Sequence, residues 1–447
     1  MSALTPASTA SFGEMSMPSI QILRLLTAGS VDDGKSTLIG RLLYDARVLP
    51  GDTLETLEKP ENRLADGSVN LALLTDGLRA EREQGITIDV AHRYFATARR
   101  KFIVADTPGH VQYTRNMVTG ASNADLAILL VDARHGIQEQ TRRHAFVASL
   151  LGIRQLVVAV NKIDLVDWSQ EVFETLRRDF EAFVPQLSSI QPGAPAPTIH
   201  FIPLSALRGD NVVHPSSHLP WYQGPTLLEL LETVSVESEA TQEPRFPIQL
   251  VIRPQSPEHP DYRGYAGRVA SGIFAVGDAV VAHPSGQESR ISGIDGTAGP
   301  QTESFAGQSV TLLLEDELDL SRGDLLSVVG KGQPLDLEEG RAWIAWMDGK
   351  PGRPGGRYLA RLGTRTVRVR LEAVESVLDI ETLQEAPGGR ELRLNDIAKV
   401  DLRFASQLPA DPYAQNRRTG AFILIDEGSN LTVAAGTLLE TTESVQE

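Results

Sequence analysis

Between residues 21 and about 232 the chain alternates short apolar runs with amphipathic stretches. Residues 23–28, 102–105, 126–131, 156–160 and 200–204 contain few polar positions. Strands that read this way are covered on both faces, as in a parallel sheet. Residues 35–44 and 141–151 have helical spacing, and the second stretch runs into Gly152 as a stop signal. Apolar strands separated by helices predict an α/β domain with a mostly parallel sheet over residues 21–236.

After residue 234 the pattern changes. An acidic, Ser/Thr-containing linker over 234–243 leads into runs that alternate polar and apolar positions, punctuated by glycine. Strands are expected at 246–252, 267–270, 278–282 and 310–314, with turns at Ser285-Gly286 and Asp295-Gly296. A weaker boundary at 333–339 precedes further strands at 366–371, 398–404, 421–425 and 431–434. Short strands at this spacing predict two β-barrels, over 244–332 and 340–440. Residues 1–20 are rich in Ser, Thr, Ala and Pro without periodicity and read as a mobile tail.

Composition narrows the chemistry. Cysteine is absent, which removes disulfides, thiolate metal sites and cysteine nucleophiles, and fits a reducing, cytoplasmic setting. Lys+Arg is 42 against Asp+Glu 58, a net charge of −16, so binding to bare nucleic acid is not expected. No stretch of eighteen apolar residues occurs, so no membrane helix is expected, and the first twenty residues lack the basic start of a targeting peptide.

The octet Gly29-Ser30-Val31-Asp32-Asp33-Gly34-Lys35-Ser36 fits G-x-x-x-x-G-K-[ST] and lies between an expected strand and an expected helix. Such a loop cradles phosphates with backbone N–H groups. Lys35 reaches the β and γ phosphates, the Ser36 hydroxyl can ligate Mg²⁺, and Thr37 flanks the loop. Asp106-Thr107-Pro108-Gly109-His110 follows the strand at 102–105. Asp106 there can hold Mg²⁺ through water and Gly109 can turn its N–H toward a γ-phosphate, although alone Asp106 reads equally as a turn residue. Asn161-Lys162-Ile163-Asp164 also ends a strand. Asp164 can accept two hydrogen bonds from guanine that adenine does not offer; its other reading is a helix cap. Ser205-Ala206 would supply a backbone N–H to the guanine carbonyl. Thr87, in Gly85-Ile86-Thr87-Ile88, can close over Mg²⁺ or be an ordinary strand residue. His110 would orient the attacking water rather than sit in the core or on the surface. Four elements at strand ends on one rim predict a GTPase binding GTP and Mg²⁺.

On these motifs the chain resembles the translation-factor class of GTPases. It resembles more closely the family of large, GTP-hydrolysing subunits of bacterial sulfate adenylyltransferase. Residues 138–167 (QEQTRRHAFVASLLGIRQLVVAVNKIDLVD) and 261–272 (DYRGYAGRVASG) carry that closer likeness, as does Gln112, where ribosomal factors typically have an acidic residue. The resemblance implies that GTP hydrolysis drives formation of adenylyl sulfate and pyrophosphate from ATP and sulfate. A small partner subunit would carry out the adenylyl transfer in a heterodimer or larger assembly. No H-x-G-H pattern and no second P-loop are present, so neither adenylyl transfer nor a fused adenylyl-sulfate kinase is expected here. The alternatives are an elongation-factor-like carrier of aminoacyl-tRNA and a nucleotide-dependent scaffold.

Overall fold

In the computed structural model the first apolar run forms β1 (Ile22–Ala28), the centre of a six-stranded sheet. The structure describes residues 22–49, 51–57, 59, 63, 69–74, 91–107, 117, 121, 123–189, 195–236, 242–254, 262–379, 382, 384–389 and 391–439. The other strands are β2 (Ala91–Ala96), β3 (Lys101–Asp106), β4 (Leu126–Asp132), β5 (Gln155–Asn161) and β6 (Thr198–Pro203). They lie in the order β2-β3-β1-β4-β5-β6. Only β2 is antiparallel to its neighbour.

Strand β4 is buried along its whole length. Successive side chains point to opposite faces, so Leu126, Ile128 and Leu130 enter one core while Ala127, Leu129 and Val131 enter the other. Helix α1 (Lys35–Asp45) covers the first face through Leu38, Ile39, Leu42 and Leu43, positions that share one side of a 3.6-residue helix. Each such side chain contributes about 1.5–3 kcal/mol on burial. A second helix, α2 (Gly51–Leu57), follows it. Helix α3 (Glu139–Leu150) packs on the opposite face, burying Phe146, Val147 and Leu150.

Two closed six-strand barrels follow. The first runs, in sheet order, through Ala279–His283, Leu325–Val328, Arg245–Ile252, Gly264–Arg268, Ser309–Leu314 and Gln287–Gly296, the last pairing back to the first. The second runs through Arg357–Leu362, Ala421–Ile425, Thr432–Leu438, Leu335–Trp346, Ile397–Ala410 and Arg365–Asp379, closed in the same way. Closure removes the open edges that an exposed sheet presents. The barrels are joined by Arg245, which donates to both carboxylate oxygens of Asp411, at 3.0 Å through Nε and 2.8 Å through Nη2, with both residues buried. The second barrel also docks on the α/β domain: Tyr413 Oη donates to the Leu151 carbonyl at 2.7 Å, and Trp343, Met347, Leu378 and Ile397 share a core with α3.

The α/β-then-two-barrels architecture is the one the hydrophobic pattern predicts. Details differ. The strand expected at 267–270 is Gly264–Arg268, because the N–H groups of Val269 and Ala270 turn away to the carbonyls of Gln308 and Arg245. Strand β2 was not anticipated; as an edge strand with a largely exposed face it lacks a continuous apolar run. The tail at 1–20 and residues 237–241 of the linker lie outside the described residues. Among the described residues no helix is long and apolar enough to cross a membrane.

Candidate nucleotide site

The loop of residues 29–36 joins the buried end of β1 to the first turn of α1. Its curl depends on Gly34, at φ 95°, where an added Cβ would stand 2.6 Å from Asn161 Nδ2. No other residue type fits that combination of left-handed backbone and close approach. Lys35 is buried and donates to the carbonyls of Gly29 (3.0 Å) and Ser30 (2.8 Å), its pKa lowered by burial despite the nearby Asp106, Asp33 and Asp32 carboxylates. Asp33 accepts the Ser30 N–H at 2.6 Å; burial raises its pKa. Val31 and Asp32 form the exposed crest, and Ser36 and Thr37 sit half-buried in the helix's first turn.

Asp106 ends β3 beside this loop, buried, and accepts the Thr27 hydroxyl at 3.0 Å. Thr107 is fully buried and its hydroxyl donates to the Thr27 carbonyl at 2.7 Å, so it straps β3 to β1. Pro108, Gly109, His110 and Thr87 lie outside the described residues.

At the end of β5, Asn161 uses both ends of its amide on the protein. Nδ2 donates to the Asp33 carbonyl at 2.7 Å and Oδ1 accepts the Ala206 N–H at 2.9 Å. It fastens the phosphate loop to the Ser205–Ala206 loop. The Lys162 ammonium lies 2.9 Å from Asp132 Oδ2 and also donates to the Asp32 carbonyl. Burial would push the Asp132 carboxyl up, but hydrogen bonds from Arg134 and Lys162 outweigh it and hold the group well below the usual range. Ile163 is fully buried in the core, so its side chain supports the loop from beneath. The Asp164 carboxylate is paired with Arg208, Nε to Oδ2 at 3.2 Å.

The Ser205 N–H donates to the Asp210 carbonyl at 3.1 Å and the Ala206 N–H to Asn161 Oδ1 at 2.9 Å. Three residues of the rim carry no motif signal. Asp132 holds Lys162, Arg208 pairs with Asp164, and Arg41 of α1 donates to the carbonyls of Ala206 (3.1 Å) and Leu207. An acidic residue closing the fully apolar run of β4 was the only available hint for Asp132; the two arginines gave none.

A P-loop, a strand-end Asp106 and an N-K-x-D loop tied together on the C-terminal rim of a parallel sheet define a GTP-binding GTPase domain. Residues 20–238 match the elongation factor Tu GTP binding domain, and residues 339–439 match the GTP-eEF1A C-terminal domain-like family. Over 420 residues the chain is 52% identical to the bifunctional enzyme CysN/CysC of Mycobacterium tuberculosis H37Rv, covering 94% of this chain and 67% of that one. It is 51% identical to sulfate adenylyltransferase subunit 1 of Aeromonas hydrophila, over 94% of this chain and 86% of the relative. For the same subunit of Shewanella oneidensis the identity is 51%, over 93% and 84%. The chain belongs to the sulfate adenylyltransferase subunit 1 family, as an enzyme subunit built on a translation-factor-type GTPase domain.

Proposed function

We propose that this chain is the GTP-hydrolysing subunit of a cytoplasmic sulfate adenylyltransferase. GTP hydrolysis here drives the formation of adenylyl sulfate and pyrophosphate from ATP and sulfate, and a small partner subunit carries out the adenylyl transfer. The observation that carries the nucleotide half is Asn161, whose single amide ties the phosphate loop to the loop beside Asp164. The names of relatives about half identical over nearly the whole chain support the sulfate half.

In this reading the backbone of residues 29–36 and the Lys35 ammonium receive the phosphates, with Thr37 alongside. The donor set suits them. Lys35 is held by two neutral carbonyls, and the Ser30 hydroxyl is buried without a hydrogen-bond partner. Asp164 accepts from the guanine edge, while Asn161, Lys162, Ile163, Ser205 and Ala206 shape the loops around it. Ser36 and Thr87 would offer hydroxyls to Mg²⁺, and Asp106 would help to hold it. Bound there, Mg²⁺ would draw charge from the phosphate oxygens. Thr107 fastens the end of β3 to β1, Pro108 and Gly109 follow it in the sequence, and His110 orients water for attack.

The test is reconstitution with the small subunit. Adenylyl sulfate should accumulate beyond the level reached without GTP, and GTP turnover should rise when ATP and sulfate are present. Thr87→Ala should abolish the excess and spare the basal synthesis. An excess that persists in the variant, or never forms in the wild type, overturns the reading; co-purifying tRNA would replace it with a carrier function.

A further inference from the structure

The apolar run of β4 ends on a buried carboxylate, Asp132, at the rim of the sheet that carries the nucleotide loops. Arg134, two residues on, donates to Oδ1 through its backbone N–H and its Nε, both at 3.0 Å, and to Oδ2 through Nη2 at 2.7 Å. The Lys162 ammonium meets the same Oδ2 at 2.9 Å, and His135 Nδ1 lies 3.6 Å from it. The Asp132 side chain is 2% exposed, that of Lys162 24% and that of Arg134 42%. The carboxylate is therefore the fixed point, and the two cations are the groups that can move.

An ion pair serving the fold alone would join elements of the core. Asp132 instead draws its cations from the turns after β4 and β5, which leave the sheet on the nucleotide side. Lys162 is the residue such a charge can steer. Its backbone is left-handed, at φ 60°, a conformation that costs a residue with a Cβ. Its ammonium also donates to the Asp32 carbonyl at the crest of the phosphate loop. The Arg134 fork fixes the carboxylate, the carboxylate fixes the ammonium, and the ammonium ties the N-K-x-D loop to the phosphate loop.

We propose, on the guanine-nucleotide assignment and independently of the sulfate half of the function, that Asp132 and Arg134 are positioning residues which act through Lys162. They hold the two nucleotide loops together and so set how long a bound guanine nucleotide stays.

Release of a fluorescent GDP from the full chain, chased with unlabelled nucleotide, tests this. Asp132→Asn should release it at least about tenfold faster, because a carboxylate that accepts charged hydrogen bonds becomes an amide. Arg134→Gln should release it about threefold faster, the scale of a partly exposed ion pair. Arg134→Lys should fall between that variant and wild type, since an ammonium restores the charge without the fork. Arg368→Gln, an exposed arginine on the second barrel, should release as wild type. Lys162→Met should itself speed release, and in that background Asp132→Asn should add nothing. A merely structural role of the carboxylate predicts two effects that add. If Asp132→Asn does not fold, the two Arg134 variants carry the test, since that side chain is exposed. A wild type that holds GDP while Asp132→Asn and Arg134→Gln release it at the same rate overturns the proposal, as do effects that add in the Lys162→Met background. A wild type from which ATP chases GDP as well as GTP does would overturn the guanine assignment, and the proposal with it.

Discussion

Arg208 Nε stands 3.2 Å from Asp164 Oδ2, so the carboxylate proposed to read guanine is already paired within the protein. The Asp164 side chain is 6% exposed and that of Arg208 60%. The arginine can therefore leave without repacking, while the aspartate cannot. An ion pair with one partner this exposed contributes about 0.2–1 kcal/mol.

Arg208→Ala should therefore raise GTP affinity by up to about fivefold, seen as slower dissociation of a fluorescent guanine nucleotide. Asp164→Asn should do the opposite. Loss of a charged hydrogen-bond acceptor costs about 1.5–3 kcal/mol, so GTP binding should fall at least tenfold while xanthosine triphosphate gains. A release rate unchanged in both variants would take this pair out of the base pocket.

Asn161→Ala strips two buried backbone groups, the Asp33 carbonyl and the Ala206 N–H, of their partner. Each buried group left unsatisfied costs about 1–3 kcal/mol. The variant should lower the denaturation midpoint of the α/β domain and weaken GDP binding together. Denaturation followed with and without GDP separates the two effects. Asn161→Asp, which retains an acceptor for Ala206 and loses the donor to Asp33, should fall between wild type and Ala in stability.

His144 gives the domain a pH dependence. It is buried on α3, its pKa pushed down to about 3 by burial and then by Lys35 and Arg143. Its Nδ1 has no hydrogen-bond partner. An unfolded histidine takes up its proton near pH 6.5, so below that value the unfolded chain holds a proton that the folded chain refuses. Stability from this residue is complete above about pH 6.5 and declines as pH falls toward 3, by about 1.4 kcal/mol per unit. Urea unfolding at pH 7 and pH 5 should show a loss smaller by about 2 kcal/mol in His144→Gln than in wild type. Equal losses would mean that the imidazole is protonated in the fold.

The Arg245–Asp411 pair between the barrels is buried, and Thr419 also donates to the carboxylate. Removing one member leaves the other charge uncompensated, at a cost of about 3–5 kcal/mol. Asp411→Asn should lower the thermal midpoint of the barrels. The double replacement Arg245→Met/Asp411→Leu should recover much of the loss. A single variant as stable as wild type would show that water reaches the pair.

The strands of the sheet were legible because burial on both faces leaves an unbroken apolar run, as in β4. Strand β2 was not, since an edge strand with its outer side chains exposed resembles a loop in sequence. Within the site, Gly34 and Lys35 were legible because backbone curvature and phosphate chemistry admit few substitutes. Asn161 was legible as a motif residue, yet its spatial task as a fastener between two loops depends on partners 128 and 45 positions away. Arg41 and Arg208 act through similarly distant or freely variable contacts, which no local spacing encodes.

Arg41 has a consequence for how a nucleotide is measured. It lies six residues beyond Lys35 on α1, about 9 Å along a helix axis, and grips the Ala206–Leu207 carbonyls while also pairing with Asp45 at 3.2 Å. The phosphate loop and the Ala206–Leu207 loop, proposed to flank the base, are thus mounted on one rod, and the gap between them is set like a caliper. Guanosine alone or tripolyphosphate alone would meet a jaw already set for the other half. Joined in one molecule, the two halves gain the chelate advantage of a rigid span.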